Sequence, residues 1–243
     1  MRVPLTNVNG EIQSTVVIYS KTDDDGKFKK CYEKGTKKTG AFCVLGVSGV
    51  VAPGAEFKGE LAKADAFVLA EGYATAKSVE QNLAGITDKK VAVIAVGDSG
   101  NLFPVGETLK AEFPGKALVI AGDNDFSAKF NAGKNKAEKA AQELGAKAVF
   151  PSFDNVPDAS GKGLSDFNDI ACNANETEIK AAFANIAMTV DAAIREQPVE
   201  AAKDAEQAAG REVEKAQVQE AEKEVKQEAV KDAEQERGAG IEM

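Results

Sequence analysis

Two aspartates, Asp123 and Asp125, stand one residue apart after an apolar run at residues 119–121 and a glycine. The run predicts a short buried strand that ends just before the acidic pair. In open parallel α/β sheets, ligands bind outside the carboxyl ends of the strands. Two carboxylates there suit a hard divalent cation such as Mg²⁺ or Mn²⁺. The same spacing also occurs where aspartates only cap a helix or close a turn.

A glutamate, Glu71, follows another predicted buried strand at residues 67–70, and Asp98 follows a third at 91–96. Right-handed crossovers place the carboxyl ends of parallel strands on one edge of the sheet, so we expect these acidic groups to lie near Asp123. Glu71 could accept the proton of an attacking hydroxyl or donate one to a leaving oxygen. Together with bound metal, this set fits phosphoryl or nucleotidyl transfer.

Gly133 and Lys134 begin the helix predicted after the acidic pair. Backbone N–H groups at the start of a helix favour a phosphate, and a lysine there adds positive charge. Lys134 is equally compatible with an ordinary surface lysine. The chain contains no GxxxxGK[ST] motif, which excludes a P-loop ATPase or helicase engine.

These residues must be held by an α/β fold, because apolar strand patterns alternate with helical patterns from residue 66 onward. We predict a parallel sheet flanked by helices in a domain spanning residues 61–197. The predicted strands are 67–70, 91–96, 117–121 and 148–150, and the predicted helices are 74–83, 106–113, 137–144, 166–172 and 176–195.

Residues 1–60 predict a small β-rich subdomain, with strands at 12–19, 27–32 and 41–45 and a turn at 22–26. The subdomain is rich in lysine, at Lys27, Lys29, Lys30, Lys34, Lys37 and Lys38. Two interpretations remain open for these lysines. They form either a solvated hairpin face or a phosphate-contacting surface beside the acidic site.

The composition shifts to Ala, Glu, Lys and Gln in the tail, residues 198–243. From residue 199 the tail holds seven basic and thirteen acidic residues, and an eight-residue pattern at 200–207 recurs at 228–235. Its apolar positions are mostly Ala and Val, whereas a tight coiled coil needs Leu or Ile. We predict a long helical or partly disordered tail, with a partner-binding coiled coil as the alternative.

The overall composition restricts the chemistry further. The 243 residues carry a net charge of −9 and contain no histidine, which argues against a free-standing non-specific nucleic-acid binder and excludes histidine-based catalysis. Three cysteines without CxxC spacing exclude a zinc ribbon and indicate reduced thiols. Without an apolar run of membrane-spanning length or a signal segment, we expect no membrane association and a cytoplasmic location.

Four ordered motifs resemble the TOPRIM domain of plasmid- and phage-borne DNA primases, of the type found in conjugative-plasmid primases. They are residues 71–76 (EGYATA), 99–102 (SGNL), 121–125 (AGDND, with Asn131, Gly133 and Ala137 downstream) and 166–169 (DFND). The lysine-rich region before Gly46 resembles the β-rich subdomain that precedes TOPRIM in those primases. The resemblance covers about residues 1–175.

The resemblance implies an enzyme that joins ribonucleotides into a primer on single-stranded DNA. Glu71 would be the general acid-base residue, and Asp123 and Asp125 would bind Mg²⁺ or Mn²⁺. Asp166 and Asp169 would support the metal directly or through water. Asn131, Gly133 and Lys134 would contact the bound nucleotide.

The sequence lacks the Cys/His zinc-binding domain and the helicase domain found with complete primases. We therefore expect a replication partner, such as a helicase or a zinc-binding domain on another chain. Two alternatives remain: a TOPRIM nuclease using the same metals, and a non-catalytic replication-associated interaction module. The tail and the missing zinc domain favour an accessory role, whereas Glu71, Asp123 and Asp125 together favour an enzyme.

Overall fold

The computed structural model describes residues 1–22, 28–46, 49–125, 131–158, 161 and 163–197. The predicted tail at 198–243 lies outside these residues, as do residues 23–26 of the predicted turn. The division into domains 1–60, 61–197 and 198–243 stays a prediction.

Strands and helices alternate from residue 66 onward, as the sequence pattern predicts, and a helix at Phe57–Ala62 that was not predicted precedes them. The described elements are β1 Arg2–Thr6, β2 Ile12–Thr22, β3 Phe28–Tyr32, β4 Cys43–Gly46, β5 Gly49–Val50, α1 Phe57–Ala62, β6 Ala66–Ala70, α2 Tyr73–Leu83, β7 Val91–Ala95, α3 Leu102–Glu112, β8 Ala117–Ala121, α4 Ala132–Leu144, β9 Lys147–Val149, α5 Phe167–Asn173 and α6 Glu176–Arg195.

The N-terminal strands form a three-stranded antiparallel sheet in the order β1-β2-β3. Its two strand pairs confirm the predicted strand at 12–19 and residues 28–32 of the predicted strand at 27–32, whose first residue lies outside the described residues. The third predicted strand, at 41–45, does not join this sheet. It forms β4 instead, which pairs with β7 in the larger sheet, and its neighbour Phe42 bridges to Thr6 at the end of β1.

The larger sheet has six strands in the order β5-β4-β7-β6-β8-β9. β7, β6, β8 and β9 are parallel, and β4 and β5 extend one edge with antiparallel pairing. Every residue of β6, β7 and β8 is buried. Burial on both faces explains why these strands are continuous apolar runs without polar alternation. The predicted sheet flanked by helices is confirmed, with a mixed rather than purely parallel pattern.

Helices cover both faces of this sheet. α2, α5 and α6 pack on one face through residues such as Val79, Phe167 and Phe183, and α1, α3 and α4 pack on the other through Phe57, Leu109 and Leu144. No helix among the described residues is long and apolar enough to cross a membrane.

Two helices begin earlier than the sequence pattern predicts. α3 begins at Leu102 rather than 106, because Pro104 stands in its first turn, where a missing N–H breaks no intrahelical hydrogen bond. α4 begins at Ala132, one residue before the predicted start at Gly133 and five before the predicted core at 137–144, because the Asn131 side chain caps it by accepting from the Lys134 N–H. Both shifts bring a helix start toward the carboxyl edge of the sheet.

Candidate active site

Glu71 and Asp123 leave neighbouring parallel strands at the same edge of the sheet. Ala70 of β6 is the register partner of Ala121 of β8, and Glu71 follows the first directly, whereas Asp123 follows the second after one glycine. The predicted meeting of these acidic residues is therefore present in the fold. Asp125 lies two residues further along the same loop.

Two glycines shape the space around the acidic pair. A Cβ at Gly122 would lie 2.4 Å from Cε1 of Phe150 and 2.9 Å from Cβ of Ala137, so no larger residue fits there. A Cβ at Gly133 would lie 3.5 Å from Cβ of Asp123 and 3.7 Å from Oδ2 of Asp125. The first turn of α4 therefore faces the carboxylates closely.

The half-buried carboxyl groups of this site have little positive charge around them. Burial and the nearby charges of Glu71, Asp166 and Asp125 raise the pKa of Asp123 to about 8. Burial is also the main cause that raises the pKa of Glu71, and Asp98 and Asp125 add to it. Oδ1 of Asp123 is buried without a hydrogen-bond partner. Such an oxygen is costly unless a cation or proton occupies it.

A hard divalent cation fits this donor set, which consists entirely of oxygen atoms. Asp123, Asp125 and Glu71 could hold it, with the unpartnered Oδ1 of Asp123 as the first candidate ligand atom. Within the described ranges, no group of three or more Asp, Glu, Cys or His side chains already converges as a complete metal site. The ligand assignment stays a prediction.

Asp166 and Asp169 form a capping box at the start of α5. Oδ1 of Asp166 accepts from the Asp169 N–H at 2.9 Å, and its Oδ2 accepts from Thr75 Oγ1 at 2.8 Å. Burial, followed by the Asp169 charge, raises the pKa of Asp166, and Asp166 in turn contributes to the raised pKa of Asp123. Asp166 therefore belongs electrostatically to the acidic cluster.

Asp169 is occupied by local hydrogen bonds. Its Oδ2 accepts from the Ser165 N–H at 2.7 Å, the Ser165 hydroxyl at 3.3 Å and the Asp166 N–H at 3.2 Å. These bonds fix the turn that leads into α5. The D-x-x-D spacing of a capping box was the sequence signal for this role, and the predicted metal contact for Asp169 stays untested.

The residue between the two aspartates holds the surrounding loops together. The Asn124 backbone N–H donates to the Ser165 carbonyl at 2.6 Å, and its side-chain amide donates to the Pro151 carbonyl at 2.9 Å. Its Oδ1 accepts from the Asn131 amide at 2.9 Å. Asn124 thus ties the acidic loop to the cap of α4, a role that the sequence motif alone did not reveal.

The predicted phosphate-contacting residues lie at the start of α4. Asn131 is the helix cap, and its side chain takes up the Lys134 N–H. The Lys134 ammonium lies 5.3 Å from the centre of the Phe150 ring and 4.0 Å from a Glu138 carboxylate oxygen. The structure places Asn131, Gly133 and Lys134 beside the acidic loop, and their contact with a nucleotide stays a prediction.

Asp98, at the end of β7, faces the N-terminal sheet. Its carboxylate forms a 2.8 Å salt bridge with Lys38 and accepts from the Tyr32 hydroxyl at 3.2 Å. Burial alone would raise the pKa of Asp98, but the contacts from Lys38, Tyr32 and the Gly100 N–H outweigh it and lower that pKa. Burial and the Asp98 charge raise the pKa of Tyr32.

Asn101 holds the lysine-bearing segment, residues 38–41, against the larger sheet. Its buried side chain is 5% exposed. The Asn101 amide donates to the carbonyls of Ala41 and Val96, each at 2.8 Å, and its Oδ1 accepts from the Gly40 N–H at 2.7 Å. A weaker bond reaches the Lys38 carbonyl at 3.2 Å. The segment before β4 is thereby held against the carboxyl edge.

Part of this chain is similar to known proteins. Residues 66–177 match the family model described as the Toprim domain. Two Escherichia coli proteins named DNA primase TraC are 42% and 41% identical to this chain over 128 residues, or 51% of its length. The matched region spans only 11% and 8% of those proteins. No solved structure matches the chain.

Proposed function

We propose that this chain carries the catalytic core of a DNA primase. The match of residues 66–177 to the Toprim domain and the closeness of Glu71 to Asp123 support this proposal. The reaction is metal-dependent nucleotidyl transfer that joins ribonucleotides into an RNA primer on single-stranded DNA. The observation that supports this proposal most strongly is the half-buried pair of carboxyl groups, Glu71 and Asp123, at the carboxyl edge of β6 and β8. The two primase relatives support the choice of reaction.

Asp123 and Asp125 would hold Mg²⁺ or Mn²⁺. A divalent cation there would neutralise phosphate charge and stabilise the attacking and leaving oxygens of the transfer. The orphaned Oδ1 of Asp123 and the shortage of cations around it support this assignment. Asp166 keeps the cluster anionic while it holds the start of α5, and Asp169 would support the site through that same turn.

Glu71 would move the proton. It accepts the proton of the attacking hydroxyl as the new P–O bond forms, and the bond from the α-phosphate to the leaving pyrophosphate breaks. Burial favours the protonated carboxyl before substrate arrives, and cation binding at Asp123 favours the ionised carboxylate needed to accept a proton. The acid-base role therefore depends on occupation of the neighbouring aspartates.

The start of α4 would receive the phosphates of the nucleotide. Thirteen residues of helix align their dipoles toward this end, and Gly133 leaves space between the helix backbone and the aspartates. Asn131 sets the cap, and Lys134 adds positive charge beside Phe150. These contacts position a triphosphate against the acidic loop.

The chain spans about a tenth of the length of its curated relatives, so template use and partners are also part of the proposal. We propose single-stranded DNA and ribonucleotides as substrates. A helicase or a zinc-binding domain on another chain would supply template recognition. We also propose a cytoplasmic location, where replication substrates are present.

Primer synthesis tests the reaction directly. The full chain is incubated with single-stranded DNA, labelled ribonucleotides and Mg²⁺ or Mn²⁺, beside Glu71→Gln and a charge-matched control, Glu107→Gln, on an exposed position of α3. We expect short RNA products from the wild-type and Glu107→Gln chains and none from Glu71→Gln.

The same gel separates the alternatives. Shortened template that depends on Glu71 would replace the primase proposal with a nuclease. Intact template and no product, also after addition of a zinc-binding partner domain, would replace it with a non-catalytic interaction module.

A further inference from the structure

The N-terminal sheet presents a lysine to the acidic edge. Lys30 and Tyr32 are two residues apart on β3, and alternate residues of a strand project to the same side. The Tyr32 hydroxyl reaches Asp98 at 3.2 Å, which fixes that side of β3 toward the carboxyl edge. Consistent with this, the Lys30 ammonium lies 3.5 Å from the carbonyl oxygen of Gly97.

Gly97 brings Lys30 close to Glu71. The Gly97 N–H donates to the backbone carbonyl of Glu71 at 2.8 Å, so the two loops run side by side where β6 and β7 end. The positive charge of Lys30 lowers the pKa of both Glu71 and Asp123 against the larger effect of their burial. The charge of Lys30 therefore acts on both acidic side chains from its position beside Gly97.

Lys30 is not needed to dock the N-terminal sheet. Lys38 and Tyr32 bind Asp98, and Asn101 holds the segment from Lys38 to Ala41. Among the described residues, Lys30 forms no salt bridge within 4.0 Å, and its recorded hydrogen bond is the long one to Gly97. Its ammonium is exposed on a flexible stem and can change partner at small cost.

We propose that Lys30 is a substitute cation that exchanges partners during the cycle. It offsets the carboxylates before metal binds, and it then contacts the phosphate of the incoming substrate. The exchange follows from charge: a divalent ion on Asp123 repels the ammonium, while a phosphate arriving at that ion attracts it. This inference rests on the proposed function, because it takes Asp123 as a metal ligand.

The exchange predicts effects of opposite sign in one variant. In Lys30→Ala, Mn²⁺ should bind more tightly without substrate, because no ammonium competes for the carboxylates. Phosphate should bind more weakly once the metal is present, because its cationic contact is missing. A lysine that only stabilised the fold would weaken both, so the sign pattern is specific to the exchange.

Titration calorimetry on the full chain measures both steps without catalysis. The first titration adds Mn²⁺ alone; the second adds, in Mn²⁺, a ribonucleoside triphosphate analogue blocked at its α–β bridge, or a single-stranded oligodeoxynucleotide. We expect Lys30→Ala to bind Mn²⁺ about threefold to tenfold more tightly and the phosphate ligand about tenfold more weakly. The ligand whose affinity falls, either the triphosphate or the oligonucleotide, is the one whose phosphate Lys30 contacts.

Two further variants control the result. Lys34→Ala removes the same charge from an exposed position just beyond β3 and should change neither affinity. Lys30→Arg keeps the charge and should restore phosphate binding to within about threefold of wild type. Thermal melting of each variant confirms that the fold is intact.

The outcomes separate this inference from the reaction. If Lys30→Ala weakens both ligands, or changes neither while wild type binds both, the exchange is wrong and the primase proposal stands. If the wild-type chain binds no Mn²⁺, the metal assignment fails, and the role of Lys30 fails with it.

Discussion

Glu71 and Asp123 extend from neighbouring parallel strands at one level of the sheet. After burial, the charge of Glu71 is the largest cause that raises the pKa of Asp123, whereas a side-chain hydrogen bond with Asp123 lowers the pKa of Glu71. The register of β6 against β8 fixes this relationship, because Ala70 and Ala121 are paired directly. Two half-buried carboxyl groups this close oppose each other's ionisation, and a bound cation would remove that opposition. Ionisation of these carboxyl groups is therefore unfavourable in the metal-free fold, and metal binding would make it favourable.

The first prediction is that metal binding releases protons. The pKa of Asp123 is raised to about 8, so below that pH its carboxyl holds a proton that a metal must displace. Apparent Mg²⁺ affinity should rise by up to about tenfold per pH unit between pH 6 and 8 and level off above. Calorimetry in buffers of different ionisation enthalpy would count the protons released. Affinity that is flat over this range would contradict the shifted pKa.

The second prediction concerns Asp123→Asn in metal-free protein. A carboxyl with a raised folded-state pKa stabilises fully below its unfolded value near 3.8, and this contribution is lost as pH rises through about 8. The asparagine variant cannot ionise, so it should melt at a higher temperature than wild type at pH 8.5 and lose the advantage at pH 4.

Metal reverses that order. At a Mg²⁺ concentration one hundred times its dissociation constant, the free energy of unfolding of wild type should rise by about 2.7 kcal/mol. That of Asp123→Asn should rise little, and this variant should lose primer synthesis. Glu107→Gln serves as the control for removal of one acidic charge elsewhere. A variant that melts like wild type with and without metal would contradict the assignment of Asp123.

The sequence predicted the parts of this site that depend on local patterns. Continuous apolar runs located β6, β7 and β8. Glu71 directly follows the first run, and Asp98 and Asp123 each follow theirs after one glycine, which was enough to place Glu71 near Asp123. Local patterns also predicted the full length of α6. This helix has a long amphipathic pattern, and a capping box stands at its start.

Contacts between distant segments were not predictable in the same way. Tyr32 meets Asp98 across 66 residues of sequence, and nothing local to either residue records that pairing. The antiparallel pairing of β4 with β7 is likewise non-local, so its short apolar run was assigned to the wrong sheet. The lysine-rich hairpin could be given two interpretations, and only the fold shows that Lys30 and Lys38 face the acidic edge.

The third prediction compares two glycines on either side of the acidic loop. Gly122→Ala should destabilise the chain by about 1–3 kcal/mol, because its Cβ would lie 2.4 Å from the Phe150 ring. Gly133→Ala should leave stability unchanged or slightly raised, since its new contacts are ordinary and alanine favours helix. Its methyl group would nevertheless enter the space beside Asp123 and Asp125.

Urea unfolding and titration with the triphosphate analogue in Mn²⁺ distinguish these two effects. Gly122→Ala should shift the unfolding midpoint, whereas Gly133→Ala should weaken binding of the triphosphate analogue with little change in the midpoint. Gly122→Ala combined with Phe150→Leu, which removes the clashing ring edge, should recover part of the lost stability. Equal effects of the two glycine variants on unfolding would contradict the packing described for this loop.

The fourth prediction tests whether Asn101 controls the position of the lysine-bearing segment. Asn101→Ala should lower the free energy of unfolding by about 2–4 kcal/mol, because the half-buried Gly40 N–H and two buried carbonyls lose their partners. Hydrogen exchange should accelerate at the Gly40 amide, where the lost bond was, more than at amides within β6. Lys38 would keep its salt bridge with Asp98 and its contact with the Tyr32 ring.

The effect on substrate separates positioning from simple stability. At a temperature where Asn101→Ala remains folded, phosphate affinity in Mn²⁺ should fall, because the segment that carries the lysines is no longer fixed to the carboxyl edge. Thr108→Ala, which removes one local hydrogen bond from α3, is the control and should leave that affinity unchanged. Unchanged phosphate affinity in Asn101→Ala would show that the larger sheet binds substrate without help from the N-terminal strands.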